Sequence, residues 1–247
     1  MNPPRYPTLA MTTTLTSSQP AALSALGCLL AYPGPDFEDL LTQSGDAIDS
    51  LPLLAFCNAV SRLTADEREE LYTATFDVTP RCVPYVSIHL FGEENFKRGE
   101  FMAALHNQYA QAGFVTGGEL PDHLAILLRY AATLSEPARR ELVEFCLLGP
   151  VGKIMDSLPD EHPYRYLLET VDESLRAPYP GIEPPLSPLE QMRQHGICPT
   201  VSDGCNCGPI VDGPLDDGAR TLVRHEAQED PMRTEVRAPF FPPLAPL

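Results

Sequence analysis

The chain has 247 residues, 43% of them hydrophobic, and its 34 acidic side chains outnumber 17 basic ones, for a formal net charge of -17. This length is sufficient for one sizeable core with an appended segment. The negative charge repels phosphate polymers and anionic lipid surfaces, so it argues against a nucleic-acid partner and favours a cationic or weakly charged protein segment.

The amino-terminal segment, residues 1–19, shows no export signal, because it has no positive cluster followed by an apolar core. The longest apolar stretch, around residues 21–32, is about a dozen residues long, whereas roughly 20 are needed to cross a bilayer. The chain has seven cysteines, an odd number that indicates reduced thiols. We therefore expect a cytoplasmic protein that does not insert directly into the membrane.

The spacing of apolar residues predicts helices from the start of this stretch onward. The first begins near Gln19 and Pro20, because proline suits a first helical turn, and the Pro-Gly-Pro run at 33–35 ends it. Amphipathic runs follow at 37–48 and 53–63. Thr64 and Glu67 then have the spacing of a capping box, which predicts a helix to about Phe76.

The second half of the body shows the same helical pattern. Helices are predicted at 85–90 and 94–112, the latter ending at Gly113 in a left-handed conformation. Pro121 with its acidic neighbours predicts another helix through Leu134. The next begins at 135–137 and ends at Gly149-Pro150, a short run follows from Val151, and the last helix spans 163–176.

No convincing alternation of apolar and polar residues between hairpin signals interrupts this series. The sequence therefore predicts an all-α fold, a single bundle of about eight or nine helices at 20–176, preceded by a flexible segment at 1–19. After residue 176 the helical period is lost, and 13 of the 27 prolines fall in the last 71 residues. Such a composition buries too little apolar surface to offset chain entropy, so we predict an extended, largely irregular tail at 177–247.

The histidines do not suggest an active site. They are scattered, and the sequence has neither a His-Glu-x-x-His pattern nor a glycine-rich phosphate loop. Metal phosphohydrolases use a His-Asp pair, whereas Asp122-His123 has the reverse order. A carboxylate next to a histidine at the start of a helix is more typical of a helix cap than of an active site. We predict that the protein is not an enzyme.

The tail contains the one cluster of residues suited to metal binding. Thiolate and imidazole groups bind zinc or an iron-sulfur centre, and three thiols and one imidazole lie close together here, at His195, Cys198, Cys205 and Cys207. The Cys-x-Cys spacing differs from the Cys-x-x-Cys of a zinc knuckle, which favours incidental thiols and no cofactor. A metal- or redox-responsive protein acting through these four residues remains the alternative.

Aromatic side chains form a second group of candidates. They provide large contact areas for a bound peptide, although core packing is their more common fate. Six of them have suitable positions in the predicted helices: Tyr72, Phe76, Tyr85, Phe101, Tyr109 and Tyr130.

An ordered series of motifs over residues 20–176 resembles the NarJ-type chaperones of the TorD/DmsD/NarJ redox-enzyme maturation family. The series includes Leu-Leu-Ala-Tyr-Pro at 29–33, Leu-Tyr-Thr-Ala-Thr-Phe-Asp at 71–77 and, most specifically, Glu-Leu-Pro-Asp-His-Leu at 119–124. The resemblance implies an all-helical cytoplasmic chaperone. Such a chaperone binds the N-terminal or leader segment of a molybdoenzyme catalytic subunit, here that of respiratory nitrate reductase, while the molybdenum cofactor is inserted.

The resemblance also implies a client-binding groove. Its expected residues are Tyr72, Phe76, His89, Glu119, Leu120, Pro121, Asp122, His123 and Tyr130. Arg129 departs from the family pattern, which usually has an acidic residue there. Catalytic subunits of selenate, chlorate, dimethyl sulfide or hydrocarbon oxidoreductases are therefore alternative clients.

Overall fold

The computed structural model describes residues 18–77 and 81–194, and the regular structure in these ranges is helical, which confirms the predicted fold class. Eleven α-helices are described there, against the eight or nine predicted. Their bounds are α1 Gln19–Leu29, α2 Phe37–Ala47, α3 Leu51–Val60, α4 Ala65–Phe76, α5 Val86–Phe91, α6 Phe96–Ala112, α7 Leu124–Thr133, α8 Ala138–Leu142, α9 Leu148–Asp156, α10 Pro163–Arg176 and α11 Pro188–Gln194, with a π-helical segment at Val143–Leu147 between α8 and α9.

Local sequence signals set several of these boundaries. The Glu67 amide donates to Thr64 Oγ1 at 3.3 Å, while the Thr64 amide donates to Glu67 Oε2 at 2.8 Å, so the predicted capping box begins α4. Gly113 adopts a φ of 65° and ends α6, as predicted. The last helix of the body, α10, has the predicted bounds.

The centre of the bundle is the contact between α1 and α7. Gly27 makes this close approach possible, because a Cβ atom there would lie 2.8 Å from both the Ala125 carbonyl oxygen and Arg129 Cγ. Helices α2 and α10 also pack on α1, and α3 packs on α10. The arrangement fixes the start of α7, where the most specific sequence motif lies.

The predicted helix end at Gly149-Pro150 is wrong. The helical path continues from α8 through the π-helical segment into α9, which ends at Asp156. The Leu148 amide donates to the Val143 carbonyl, five residues earlier. This widened turn lies just ahead of Pro150, which has no amide to donate, so the helix passes the proline without a break.

The start of α7 also differs from the prediction. The helix begins at Leu124, not at Pro121, because His123 caps it and residues 120–122 form the preceding turn. After α10 the described chain packs partly on the body, with Ile182 and Leu189 buried. The other residues of the predicted tail, 195–247, and residues 1–17 lie outside the described ranges. Within those ranges, no helix is both long and apolar enough to cross a bilayer.

Candidate functional site

The backbone of the 119–124 segment joins the start of α5 to the start of α7. The Val86 amide at the start of α5 donates to the Asp122 carbonyl oxygen at 2.9 Å, and the Leu124 amide donates to the Pro84 carbonyl oxygen at 2.9 Å. These bonds flank an isolated antiparallel bridge between Tyr85 and His123. The motif is therefore pinned to the loop before α5 and to the first turn of α7.

Asp122 is a fully buried member of this junction. Its Oδ2 accepts a hydrogen bond from the Ser87 hydroxyl, whose oxygen in turn accepts one from Arg98 Nε at 2.9 Å. The guanidinium of α6 thus reaches the buried carboxylate through a hydroxyl of α5. Oδ1 of Asp122 has no hydrogen-bond partner among the described residues.

His123 is the N-cap of α7, as the cap interpretation of the pair predicted. Its Nδ1 accepts a hydrogen bond from the Ala125 amide at 3.2 Å, and its ring packs edge-on against Tyr85 with the ring centres 5.5 Å apart. Burial lowers the pKa of His123, while Glu119 and Asp122 act in the opposite direction. A neutral imidazole is what the cap requires, because only a deprotonated Nδ1 can accept the amide.

The other side of the motif rests on α6. The Tyr109 hydroxyl donates to the Pro121 carbonyl oxygen at 2.7 Å. The rings of Tyr109 and Tyr130 lie 4.5 Å apart, and both pack against Phe114. Tyr130, a predicted site residue, is therefore buried and supports the motif from beneath.

Two motif residues reach the surface. Glu119 is exposed, and Leu120 has 40% of its surface exposed. Burial raises the pKa of the half-buried Tyr85, and the carboxylates of Glu119, Asp122 and Asp77 raise it further. We call Asp77, Tyr85, Glu119 and Leu120 the acidic face, because the exposed carboxylates of Asp77 and Glu119 act on Tyr85 and Leu120 follows Glu119 in the chain.

The aromatic cluster beside this face includes two more predicted residues. Tyr72 and Phe76 are buried, with ring centres 5.1 Å apart, and both pack on Tyr164 of α10. Asp77 is the C-cap of α4 and directly follows Phe76, so the cluster lies beside the acidic face. Burial raises the pKa of Tyr72, and the carboxylates of Glu119 and Asp77 raise it further. Tyr32, half exposed, packs edge-on against Tyr72 at 5.3 Å and forms the outer end of the cluster.

His89 lies at a different part of α5. Its Nε2 donates to the Val83 carbonyl oxygen at 2.8 Å, and its own carbonyl accepts from Lys153 Nζ at 3.2 Å. Burial is the main cause of its lowered pKa. His89 thus holds the loop that leads to Tyr85 and faces α9.

The predicted tail ligands, His195, Cys198, Cys205 and Cys207, lie outside the described residues. In the ranges 18–77 and 81–194, no group of three or more His, Cys, Asp or Glu side chains is arranged to hold a metal ion. The buried cysteines of the body behave as small apolar side chains. Burial raises the pKa of Cys82 and of Cys146 to about 12, so both thiols stay protonated.

The structure adds residues to the site that the sequence alone did not select. Asp77 belongs to the acidic face, although in the sequence it was only the last residue of the motif at 71–77. Tyr85 was one of the six candidate aromatic residues, and the structure places it on this face. Ser87 carries no sequence signal, because its role depends on a contact with Asp122 that is distant along the chain. Most of the candidate aromatic residues are buried, which confirms the core interpretation for Tyr72, Phe76, Phe101, Tyr109 and Tyr130.

Comparison with known proteins identifies the family. Residues 39–160 match the model of the nitrate reductase delta subunit family. The chain is also 33% identical over 137 residues to the probable nitrate reductase molybdenum cofactor assembly chaperone NarJ of Bacillus subtilis (strain 168), an alignment that covers 52% of this chain and 74% of the relative. The chain therefore belongs to the nitrate reductase delta subunit family of assembly chaperones, which are not enzymes.

Proposed function

We propose that this protein is a cytoplasmic chaperone that binds the N-terminal segment of the catalytic subunit of a respiratory nitrate reductase and holds that subunit ready for molybdenum cofactor insertion. Family membership and the name of the Bacillus relative support the class of client. The net charge of -17 supports a client segment that carries basic residues.

The acidic face is the observation that supports this proposal most directly. It combines exposed carboxylates, a half-buried tyrosine and an exposed leucine, which are the groups that hold a basic, amphipathic helix. Glu119 and Asp77 attract the positive side chains of the client. Leu120 and Tyr85 contact its apolar side.

The other predicted site residues act as supports in this proposal. Asp122 and His123 fix the backbone of the motif, so Glu119 and Leu120 are presented in one orientation. Tyr130 acts through Tyr109 on Pro121, and His89 acts through the loop before Tyr85. A binding surface that is rigid before the client arrives loses little conformational entropy on association.

Binding requires no covalent step. The client segment remains on the chaperone while the catalytic subunit stays open, and it leaves when the folded subunit buries that segment in its own structure. The chaperone thus favours the open subunit by binding it better than the closed one.

Isothermal titration calorimetry with a synthetic peptide of the N-terminal segment of the nitrate reductase catalytic subunit tests the proposal. Glu119→Gln and Leu120→Ala should each weaken binding by about 1–2 kcal/mol, or roughly 5- to 30-fold, because each removes one contact group from the centre of the surface. Glu183→Gln, beyond the C-terminal end of α10, and Leu51→Ala make the same chemical changes at exposed positions elsewhere and serve as matched controls.

Equal affinities for all four variants would refute the location of the site. Absence of binding by the wild-type chain at high micromolar peptide would refute the choice of client. The same titration with peptides from selenate, chlorate, dimethyl sulfide and hydrocarbon oxidoreductases would then decide among the alternatives.

A further inference from the structure

A tyrosine and a carboxylate form an exposed pair close to the acidic face. Tyr32 lies in the connection between α1 and α2, and 54% of its surface is exposed. Its hydroxyl donates to Oε2 of Glu69 in α4 at 2.7 Å, and this hydrogen bond raises the pKa of Tyr32. The contact therefore holds an aromatic ring and a negative charge side by side at the surface.

The chain contains a second pair of this kind, and arginine side chains occupy it. The Tyr179 hydroxyl donates to Oε1 of Glu136 at 2.6 Å. The guanidinium of Arg140 lies over the Tyr179 ring, 5.7 Å from its centre. Nη1 of Arg139 lies 3.4 Å from the same Glu136 oxygen. A tyrosine ring attracts a cation through its electron-rich face and the carboxylate adds an ion pair, so this arrangement suits a guanidinium group.

No described residue supplies a cation to the pair of Tyr32 and Glu69. Within residues 18–77 and 81–194, Glu69 has no ion pair and no lysine or arginine lies over the Tyr32 ring. Arg68, the neighbour of Glu69 in α4, is buried and already paired. Its Nη2 lies 2.6 Å from Glu38 Oε1, and its guanidinium lies over the Phe37 ring. The exposed pair thus has the groups that bind an arginine and receives none from the described chain.

The pair is continuous with the acidic face along α4. Tyr32 packs edge-on against Tyr72, with ring centres 5.3 Å apart, and Tyr72 belongs to the aromatic cluster beside that face. Glu69 and Asp77 are eight residues apart, two steps of four, so they lie along one side of the helix about 12 Å apart. A helical segment of little more than two turns spans this distance, so one bound segment can reach both places.

We propose that Tyr32 and Glu69 form an arginine subsite of the client-binding surface. An arginine of the client segment lies over the Tyr32 ring and pairs with Glu69, while other groups of the same segment contact the acidic face. The inference rests on the proposed function and deepens it, because it requires arginine at one position of the client. A lysine fits less well there, since its ammonium group is more strongly hydrated and lacks the planar shape that stacks on a ring.

Isothermal titration calorimetry of the full-length chain with the synthetic N-terminal peptide of the nitrate reductase catalytic subunit tests the subsite. Glu69→Gln should weaken binding about threefold, because it removes the ion pair. Glu70→Gln removes the same charge from the neighbouring exposed residue of α4 and should bind like the wild type. This control separates a local contact from the general attraction of a negatively charged protein.

Two substitutions of Tyr32 test the aromatic ring. Tyr32→Leu keeps an apolar side chain without an aromatic face, so it should weaken binding about two- to fivefold. Tyr32→Phe keeps the face and should lose less affinity than Tyr32→Leu. Circular dichroism shows whether both variants fold, and Glu69→Gln tests the same subsite without a change in aromatic packing.

A second peptide, in which every arginine is replaced by lysine, separates recognition of the guanidinium from recognition of charge. The wild type should bind this peptide about two- to fivefold more weakly than the original one. Tyr32→Leu should bind the two peptides with equal affinity, because the ring that distinguishes them is gone. Equal affinities of the wild type for the two peptides would overturn the inference, as would a client N-terminal segment that contains no arginine.

The same titrations distinguish failure of this inference from failure of the proposed function. If Glu119→Gln and Leu120→Ala weaken binding while Glu69→Gln binds as tightly as Glu70→Gln, the arginine subsite alone is refuted. If the wild-type chain does not bind the original peptide at high micromolar concentration, the choice of client and the subsite are both refuted.

Discussion

Substitution of Gly27 by alanine should destabilise the protein, although alanine is the better helix former. Gly27 lies at the contact of α1 with α7, where a Cβ atom would be 2.8 Å from the Ala125 carbonyl oxygen and 2.8 Å from Arg129 Cγ, and 3.2 Å from the Arg129 amide nitrogen. Arg129 Cγ belongs to a flexible side chain and can move. The Ala125 carbonyl oxygen is part of the helix backbone, so the two helices must separate to relieve that contact.

The size of the effect follows from two opposing terms. Replacing a glycine in a helix interior by alanine stabilises the helix by about 1 kcal/mol. Forcing an extra methyl group into a packed core costs about 1–3 kcal/mol, and the upper end applies here because the contact is with backbone. A net loss of about 1–2 kcal/mol in the free energy of unfolding is therefore expected.

Urea unfolding followed by circular dichroism measures this change, and Gly99→Ala is the matched control. Gly99 lies in α6, and a Cβ atom there would meet nothing within 4 Å. The control should therefore be stabilised by up to about 1 kcal/mol through helix propensity alone. If Gly27→Ala is as stable as Gly99→Ala, the close packing of α1 on α7 is not a constraint on this fold, and the reasoning fails.

Two further predictions concern the junction around Asp122. Ser87→Ala should destabilise the protein by about 1–3 kcal/mol in thermal or urea unfolding, because it removes the hydroxyl bonded to the buried carboxylate. Ser44→Ala is the control and should be nearly neutral, because the buried Ser44 hydroxyl has no partner among the described residues. Stability should also fall as the pH is lowered from about 7.5 to about 5.5, because the folded pKa of His123 lies below its unfolded value near 6.5 and the unfolded chain takes up the proton first. The pKa values of His89 and His162 are also lowered, so both residues contribute to the loss of stability at low pH in the same direction. His123→Asn keeps a helix cap without a titrating group, so it should reduce this pH dependence, and an unchanged slope would contradict the role assigned to His123.

The sequence predicted those elements whose boundaries depend on neighbouring residues. The capping box of Thr64 and Glu67, the left-handed Gly113 and the bounds of α10 are all set within one or two helical turns. The π-helical segment could not be predicted in this way. Gly149-Pro150 is a strong local signal for a helix end, and the widened turn at 143–148 that lets the helix continue has no sequence pattern of its own.

The candidate site was predictable as a motif but not as a surface. The sequence identified residues 119–124 by resemblance, yet it could not show that Asp122 and His123 are buried while Glu119 and Leu120 are exposed. That division depends on Val86, Ser87 and Arg98, which reach the motif from other helices. Contacts between residues so distant along the chain leave no periodic pattern to recognise.

The division within the motif suits the proposed function, in which a small chaperone holds a client segment without catalysing any reaction. A loop that carried Glu119 and Leu120 without the buried contacts of Asp122 and His123 would be mobile, and ordering it on binding would cost conformational entropy. Here Asp122, His123 and the Tyr109 contact to Pro121 hold the motif through hydrogen bonds within the chain itself. Backbone bonds to Asp122 and from Leu124 also tie the motif to the start of α5, so the exposed Glu119 and Leu120 are held on a fixed part of the bundle.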